Sequence, residues 1–390
     1  MNLCVLFRDF DNGIVCQVKV LCEKGFGLRV VGPDSLGFSS ARSMLPKTVQ
    51  TEVVLRSRRP LPILDPQLIL GQLISAIRTN SSVCCCHGMN ELVCGLALKA
   101  LRRSVIYEVA DDMPSILGTI VGRRIGSQGL GRFLESVLRG LEVTCCSQFD
   151  KIVALTYPLA KARSRYNKET RTIGYYPHPC FNPSNVDTSL MEKYKRFNLV
   201  VYDGRITPEK GMDIMLEVSD MVRQEIENYR LLLIGDFVGT SSRKREFLQR
   251  RSDLGLQQHV ELAGWIPYSD VPKYINLGKL GLSLLSPWCY SYLVTEPYKV
   301  LEMMACGKPV VATRDNLPTR LLIEQSGGGV LVGSSDVRAI ADSVTRLLQN
   351  HDERRQLGVR ARWFIENRRK WGDFEQSLLS VYEPYFERMR

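Results

Sequence analysis

Short apolar runs that do not alternate with polar residues recur along the first half of this chain, at residues 3–7, 27–31, 52–55, 82–86, 104–109 and 151–155. A strand with one wet face reads apolar, polar, apolar; an unbroken run rich in Val and Ile indicates a strand covered on both faces, the habit of parallel sheets. Segments with helical spacing, such as 90–101, lie between the runs, so the repeating unit is βαβ.

The pattern restarts after Tyr175-Tyr176-Pro177-His178-Pro179 and Asn182-Pro183-Ser184-Asn185, turn-forming stretches that read as a linker and place a boundary near residue 190. Second-half strands are expected at 199–202, 230–234, 260–262, 280–285, 309–312 and 330–332. The last fifty residues lack a strand; 337–348, 353–365 and 373–386 have helical spacing, with Trp363 and Trp371 as packing anchors. The expectation is an α/β chain of two doubly wound, Rossmann-like parallel-sheet domains, 1–190 and 191–370, with a helix at 371–390 packing across them. Ligands of open α/β sheets lie beyond the carboxyl ends of the strands, so function is expected in a cleft between the two domains.

At 390 residues, 44% hydrophobic and 24% charged, the chain reads as folded and globular, and no apolar run reaches the ~18 residues needed to cross a bilayer. A cytoplasmic location is expected. Of the twelve cysteines, Cys84, Cys85 and Cys86 are consecutive in an apolar stretch and Cys145 adjoins Cys146, with no CxxC spacing. They read as small core hydrophobes in a reducing compartment rather than as a metal or redox site.

The net charge of +11 is uneven: residues 1–190 hold 23 Lys+Arg against 15 Asp+Glu, and 191–390 hold 29 against 26. A basic first half suits an acidic partner. Arg56-Ser57-Arg58-Arg59, Arg102-Arg103, Arg123-Arg124 with Arg132 and Arg139, and 161–171 supply the patches. Between 116 and 141, the apolar residues Ile116, Leu117, Ile120, Val121, Leu130, Phe133, Leu134, Val137 and Leu138 offer a face for an anionic membrane surface, against the plainer reading of core-facing helices with solvated arginines. No aromatic-interleaved basic platform is present, so nucleic acid is not the expected partner.

The chemistry is most legible at Asp203-Gly204-Arg205-Ile206-Thr207-Pro208-Glu209-Lys210-Gly211, a turn from strand to helix flanked by two cations. Arg205 as a fork and Lys210 as a point charge suit a diphosphate beside a helix N-terminus. Further on, Pro297 fits a helix start and Gly307 its stop, placing Glu302 inside the helix, where its carboxylate can accept both hydroxyls of a ribose. Together with Leu231-Leu232-Leu233-Ile234-Gly235, Leu262-Ala263-Gly264-Trp265-Ile266 and Leu301-Glu302-Met303-Met304-Ala305-Cys306-Gly307-Lys308-Pro309-Val310-Val311-Ala312, these pieces resemble the nucleotide-sugar domain of GT-B-fold glycosyltransferases, in particular the retaining family 4.

That resemblance implies a retaining glycosyltransferase that needs no metal and uses a UDP- or GDP-sugar. It implies that Gly204, Arg205 and Lys210 bind the donor diphosphate and that Glu302 binds the ribose, with Glu296, Pro297, Tyr298 and Lys299 lining the same loop. Where the family places the first glutamate of its pair, residue 294 is Val; where relatives carry His-Asp, this chain has Ala110-Asp111. In the first half, Gly13 in the loop after strand one lets backbone approach the diphosphate, and Asp111 and His87, at strand ends, are the candidates facing a saccharide or lipid-linked acceptor. His178, His259 and His351 lack such a setting. Asp9-Phe10-Asp11 matches a metal motif of the other major glycosyltransferase fold but reads as a turn here. Two rivals remain: a sugar-nucleotide epimerase of the same fold, and a non-catalytic donor-binding or scaffold subunit. Gly25-Phe26-Gly27 lacks the rest of a dinucleotide fingerprint, which disfavours a dehydrogenase.

Overall fold

The computed structural model describes residues 2–7, 12–34, 42, 44–56, 64–79, 81–238, 241–288 and 290–387. Asp9-Phe10-Asp11, the residue before it and Ser57-Arg58-Arg59 lie outside the described residues. Two compact units emerge: Met1–Gly174 with Cys289–Ser291 and Gly372–Arg390, and Tyr175–Trp288 with Tyr292–Trp371.

The first unit holds strands β1 (Asn2–Phe7), β2 (Gly27–Asp34), β3 (Gln50–Arg56), β4 (Val83–His87), β5 (Ser104–Val109), β6 (Lys151–Ala154) and β7 (Thr170–Thr172). They form one sheet in the order β3-β2-β1-β4-β5-β6-β7, and every described pairing is parallel. The apolar runs are buried as their composition requires: Leu3, Leu6, Val30, Val105, Ile106 and Ile152 are fully enclosed. β7 was not expected. It has three residues, Thr-Arg-Thr, partly or fully exposed at the sheet edge, and so gives no apolar signal.

Cys4, Cys84, Cys86, Cys94 and Cys146 are buried in this core, and burial pushes the Cys84 thiol up to about 12. The arginines read as surface patches divide. Arg123, Arg124 and Arg132 are exposed. Arg163 is fully buried and pairs with Glu142 (2.9 Å) and Asp112 (3.5 Å), while Arg139 binds Asp112 (2.6 Å) and Glu142 (3.0 Å). Arg163 is an internal charge and the half-buried Arg139 backs it, so the two stitch the helices Met113–Ile125, Gln128–Cys146 and Tyr157–Arg163, because a buried charge persists only when paired.

The second unit repeats the plan with β8 (Asn198–Asp203), β9 (Tyr229–Ile234), β10 (Val260–Gly264), β11 (Leu280–Ser283), β12 (Val310–Thr313) and β13 (Gly329–Val332). The order β10-β9-β8-β11-β12-β13, again parallel, reverses direction between β8 and β11. At such a switch point the helices on either side leave the carboxyl ends of adjacent strands uncovered. Its core packs Val200, Tyr202, Leu231, Leu233 and Leu282 against Met215, Val218 and Val222 of the helix Met212–Glu225, and against Ile340, Val344 and Leu347 of Val337–Gln349. The segment after Gly174 is tied to this unit: Asn276 Nδ2 donates to the carbonyls of Asn182 (2.9 Å) and Asn185 (2.8 Å), and Arg362 Nη1 to that of Phe181 (3.4 Å).

Candidate functional site

At the carboxyl end of β8 the chain turns through Gly204 and Arg205. Tyr202 Oη donates to the Arg205 carbonyl (2.7 Å), and the Ile206 amide to the Asp236 carbonyl (2.9 Å), so the turn is held from both sides. A short 3₁₀ segment, Pro208–Lys210, follows, and Gly211 closes it at φ +79°. A Cβ at Gly211 would stand 2.6–2.7 Å from Leu284, so only glycine fits where this turn enters the helix Met212–Glu225.

The helix Tyr298–Ala305 brings the second half of the site. Pro297, expected as the first helical residue, is its N-cap, so the helix starts one residue later. At the far end the Gly307 and Lys308 amides donate to the Met304 and Met303 carbonyls (both 2.9 Å), the paired bonds of a Schellman stop. Between them Lys299 and Glu302 are both buried. The Lys299 ammonium lies over the Tyr202 ring, 3.6 Å from its centroid, and 3.3 Å from where a Gly204 Cβ would be. Glu302 Oε1 accepts from Tyr268 Oη at 2.8 Å, and Tyr268 is steadied by Phe181 at a ring separation of 5.1 Å.

Asp203, the last residue of β8, completes the cluster. It is 6% exposed, its Oδ1 is buried with no hydrogen-bond partner among the described residues, and it perturbs Glu302 and Lys299 and feels the charge of Lys210. Burial drives the Glu302 carboxyl well above the usual carboxylate range, and the neighbouring Asp203 charge adds to it. Lys299 moves well below its ordinary value, first by burial and then by repulsion from Lys210. Two ammonium groups and two carboxyls thus meet at a glycine turn beside the switch point, an arrangement suited to a ligand with both anionic and hydroxyl groups.

The structure therefore groups Gly204, Lys210, Lys299 and Glu302. Arg205 stands on the same turn with its side chain exposed. Glu296 is buried and engaged elsewhere, on Arg369 (3.2 Å); burial outweighs that cation and raises its carboxyl to about 7. Tyr298 packs edge-on against Tyr175 at 4.4 Å. Sequence reasoning missed Asp203 and Tyr268. A carboxylate closing an apolar strand was the available signal for Asp203; Tyr268 lies in a loop 34 residues before Glu302 and gave none.

The other candidates lie in the first unit. Gly13 is buried in the first turn of the helix Asn12–Glu23. Asp111 is exposed after β5; its neighbour Asp112 caps the next helix, accepting from the Ser115 amide (3.3 Å). His87 ends β4 with a side chain only 10% exposed, and burial lowers its imidazole to about 4.

Residues 190–363 match the family described as glycosyl transferases group 1. The match covers 174 of the chain's 390 residues. The chain is 29% identical over 173 residues, 43% of its length, to the GDP-mannose-dependent alpha-(1-6)-phosphatidylinositol monomannoside mannosyltransferase of Mycolicibacterium smegmatis, covering 44% of that protein. It is 25% identical over 194 residues, 48% of its length, to the alpha-D-kanosaminyltransferase of Streptomyces kanamyceticus, covering 47% of it. The matched stretches span about half the length of these relatives. Among solved structures, a sucrose-phosphate synthase from Thermosynechococcus elongatus superposes with a TM-score of 0.75 at 16% identity, over 99% of both chains. Anabaena HepE in complex with UDP-glucose gives 0.74 at 18% identity, over 98% of this chain and all of that one. The chain thus has the GT-B fold, and the cluster built on Asp203, Lys299 and Glu302 lies inside the stretch that matches glycosyl transferases group 1.

Proposed function

We propose that the protein is a retaining glycosyltransferase that takes a sugar from a nucleoside diphosphate sugar, UDP- or GDP-linked, and places it on a saccharide or lipid-linked acceptor in glycan synthesis. The observation that carries this reading is the convergence of Lys210, Lys299 and Glu302 at the glycine turn of the switch point, within the portion that matches the family. Lys210, Lys299 and Arg205 answer the diphosphate, and Glu302, oriented by Tyr268, answers the ribose hydroxyls. Loss of the nucleoside diphosphate concentrates negative charge on the phosphates, so these cations hold the transition state more tightly than the ground state, and the donor chemistry needs no metal. Pro297 and Tyr298 shape the loop, and Glu296 supports it through Arg369.

The first unit is assigned the acceptor, with Asp111 as its exposed carboxylate at a strand end and Gly13 offering backbone to the diphosphate. Its helices Met113–Ile125 and Gln128–Cys146 expose Ile120, Ile125, Leu130, Phe133 (66%) and Val137 beside Arg123, Arg124 and Arg132. This mixture suits an anionic membrane surface, where rings and aliphatic groups enter the headgroup layer and arginines meet phosphate. Among the described residues no helix is long and apolar enough to cross a membrane, so contact would be peripheral.

A panel of sugar nucleotides incubated with acceptor extracts and read by mass spectrometry tests the assignment. Transfer is expected with the full chain and a drop of at least about tenfold with Arg205→Ala or Glu302→Ala, each removing roughly 1.4 kcal/mol or more of transition-state binding. Turnover at the wild-type level in both variants contradicts the site; donor turnover without any acceptor would favour the epimerase.

A further inference from the structure

The first unit contains a second cluster that the donor site does not use. Cys85 and His87 stand two residues apart on β4, and their strand partner at the outer position is Glu108 of β5, paired with His87 in register. Residues i and i+2 of one strand and the cross-strand neighbour of one of them project from the same face, so three different donor groups converge by backbone geometry alone. The Cys85 Sγ lies 3.3 Å from His87 Nε2, and Glu108 Oε1 lies 3.6 Å from His87 Nδ1. One donor atom from each residue can be chosen so that all lie within 4.8 Å of one another.

The groups are also held from outside. Gln17 Nε2, from the helix Asn12–Glu23, donates to Glu108 Oε1 at 2.7 Å. Tyr382 Oη, from the helix Trp371–Glu387, donates to Cys85 Sγ at 3.3 Å, and its ring packs edge-on against Phe26. Outer partners of this kind fix the orientation of metal ligands. Cys85 is as buried as Cys84 and Cys86, and its contacts with His87 and Tyr382 are what mark it out.

We propose that Cys85, His87 and Glu108 form a zinc site in the first unit. Sulfur, imidazole and carboxylate together suit zinc rather than magnesium or calcium, which take oxygen ligands. With Zn–S of about 2.3 Å and Zn–N of about 2.0 Å, ligand atoms on one tetrahedral ion stand roughly 3.5 Å apart. Cys85 and Glu108 now meet opposite nitrogens of the His87 ring and only one of these can bind the ion, so the spacing that counts is the 4.8 Å within which one atom from each residue falls, and the side chains draw in by about 1 Å around the ion. Binding releases the thiol proton to solvent. Three protein ligands leave a fourth position for water. The ion ties the ends of β4 and β5 to each other and, through Gln17 and Tyr382, to the helices over them. The site shares no residue with the donor cluster, so its failure would leave the donor assignment standing.

The test is titration of the metal-stripped full-length protein with Co²⁺, which reports zinc sites optically. Near one equivalent of cobalt, intense near-ultraviolet absorption from a thiolate–cobalt bond is expected; it should vanish in Cys85→Ser, and Zn²⁺ should displace the cobalt. In Glu108→Gln, zinc affinity should fall by tenfold or more. No thiolate absorption in the wild-type protein, or undiminished absorption in Cys85→Ser, overturns the proposal. Should Cys85→Ser fail to fold, zinc-edge X-ray absorption on the wild-type protein decides: one sulfur neighbour supports the site, and none, or two or more, refutes it.

Discussion

Glu296 illustrates how one buried side chain sets a property of its surroundings. Its carboxyl is raised by burial from the ordinary 4.5 to about 7, against the pull of Arg369. A folded-state value above the unfolded one means the native state holds the extra proton between those limits, so the stabilisation is complete below about pH 4.5 and is lost as pH rises through about 7. The full span corresponds to about 3 kcal/mol. Glu296→Gln, which cannot titrate, should flatten that part of the stability–pH curve in urea unfolding; an unchanged slope would show that Glu296 is not its source. Asp203 and Glu302 make a second residue-scale case. Acidification through the raised Glu302 value should weaken nucleotide binding, because a protonated carboxyl is a poorer acceptor for ribose hydroxyls. Asp203→Asn removes the charge that helps raise it, so calorimetry across pH should show the inflection moving to lower pH. An inflection that stays in place would dissociate Asp203 from Glu302.

At the scale of elements, the turn 203–211 is the part whose geometry has least freedom. Gly211→Ala would place a methyl group against the Leu284 backbone and force a residue with a side chain to φ +79°. The cost is expected to be about 1–3 kcal/mol of stability, with nucleotide affinity falling too because Lys210 adjoins the strained residue. A thermal unfolding midpoint equal to wild type would show that the turn relaxes freely. The strands were legible because fully covered strands must be apolar throughout, and the predicted runs fall within β1–β6 and β8–β13 apart from a residue or two at a few ends. β7 escaped because an exposed edge of three residues need not be apolar. The same logic explains the site: Lys210, Lys299 and Glu302 announced themselves through glycine and proline punctuation, which is local. Tyr268 and the Glu296–Arg369 pair join residues 34 and 73 positions apart and left no local trace. Arg139 and Arg163 read as surface charge because Asp112, which both of them meet, is distant in sequence, as is Glu142 from Arg163.

For the whole molecule, each unit carries its own specialisation: the second the nucleotide cluster, the first an exposed apolar and basic face. If that face meets lipid, the protein should float with vesicles containing anionic phospholipid and not with neutral ones, and Phe133→Asp should reduce flotation severalfold at physiological salt. Equal recovery with both vesicle types would remove the membrane from the account. The central claim, that the carboxyl edge of β8 and the helix Tyr298–Ala305 bind a nucleoside diphosphate, is tested most directly by calorimetric titration of UDP and GDP into wild-type, Lys210→Ala and Glu302→Ala proteins. Saturable one-to-one binding of one of the two nucleotides, weakened at least tenfold in both variants, is the predicted result; binding of equal strength in all three proteins, or of neither nucleotide to the wild type, would contradict it.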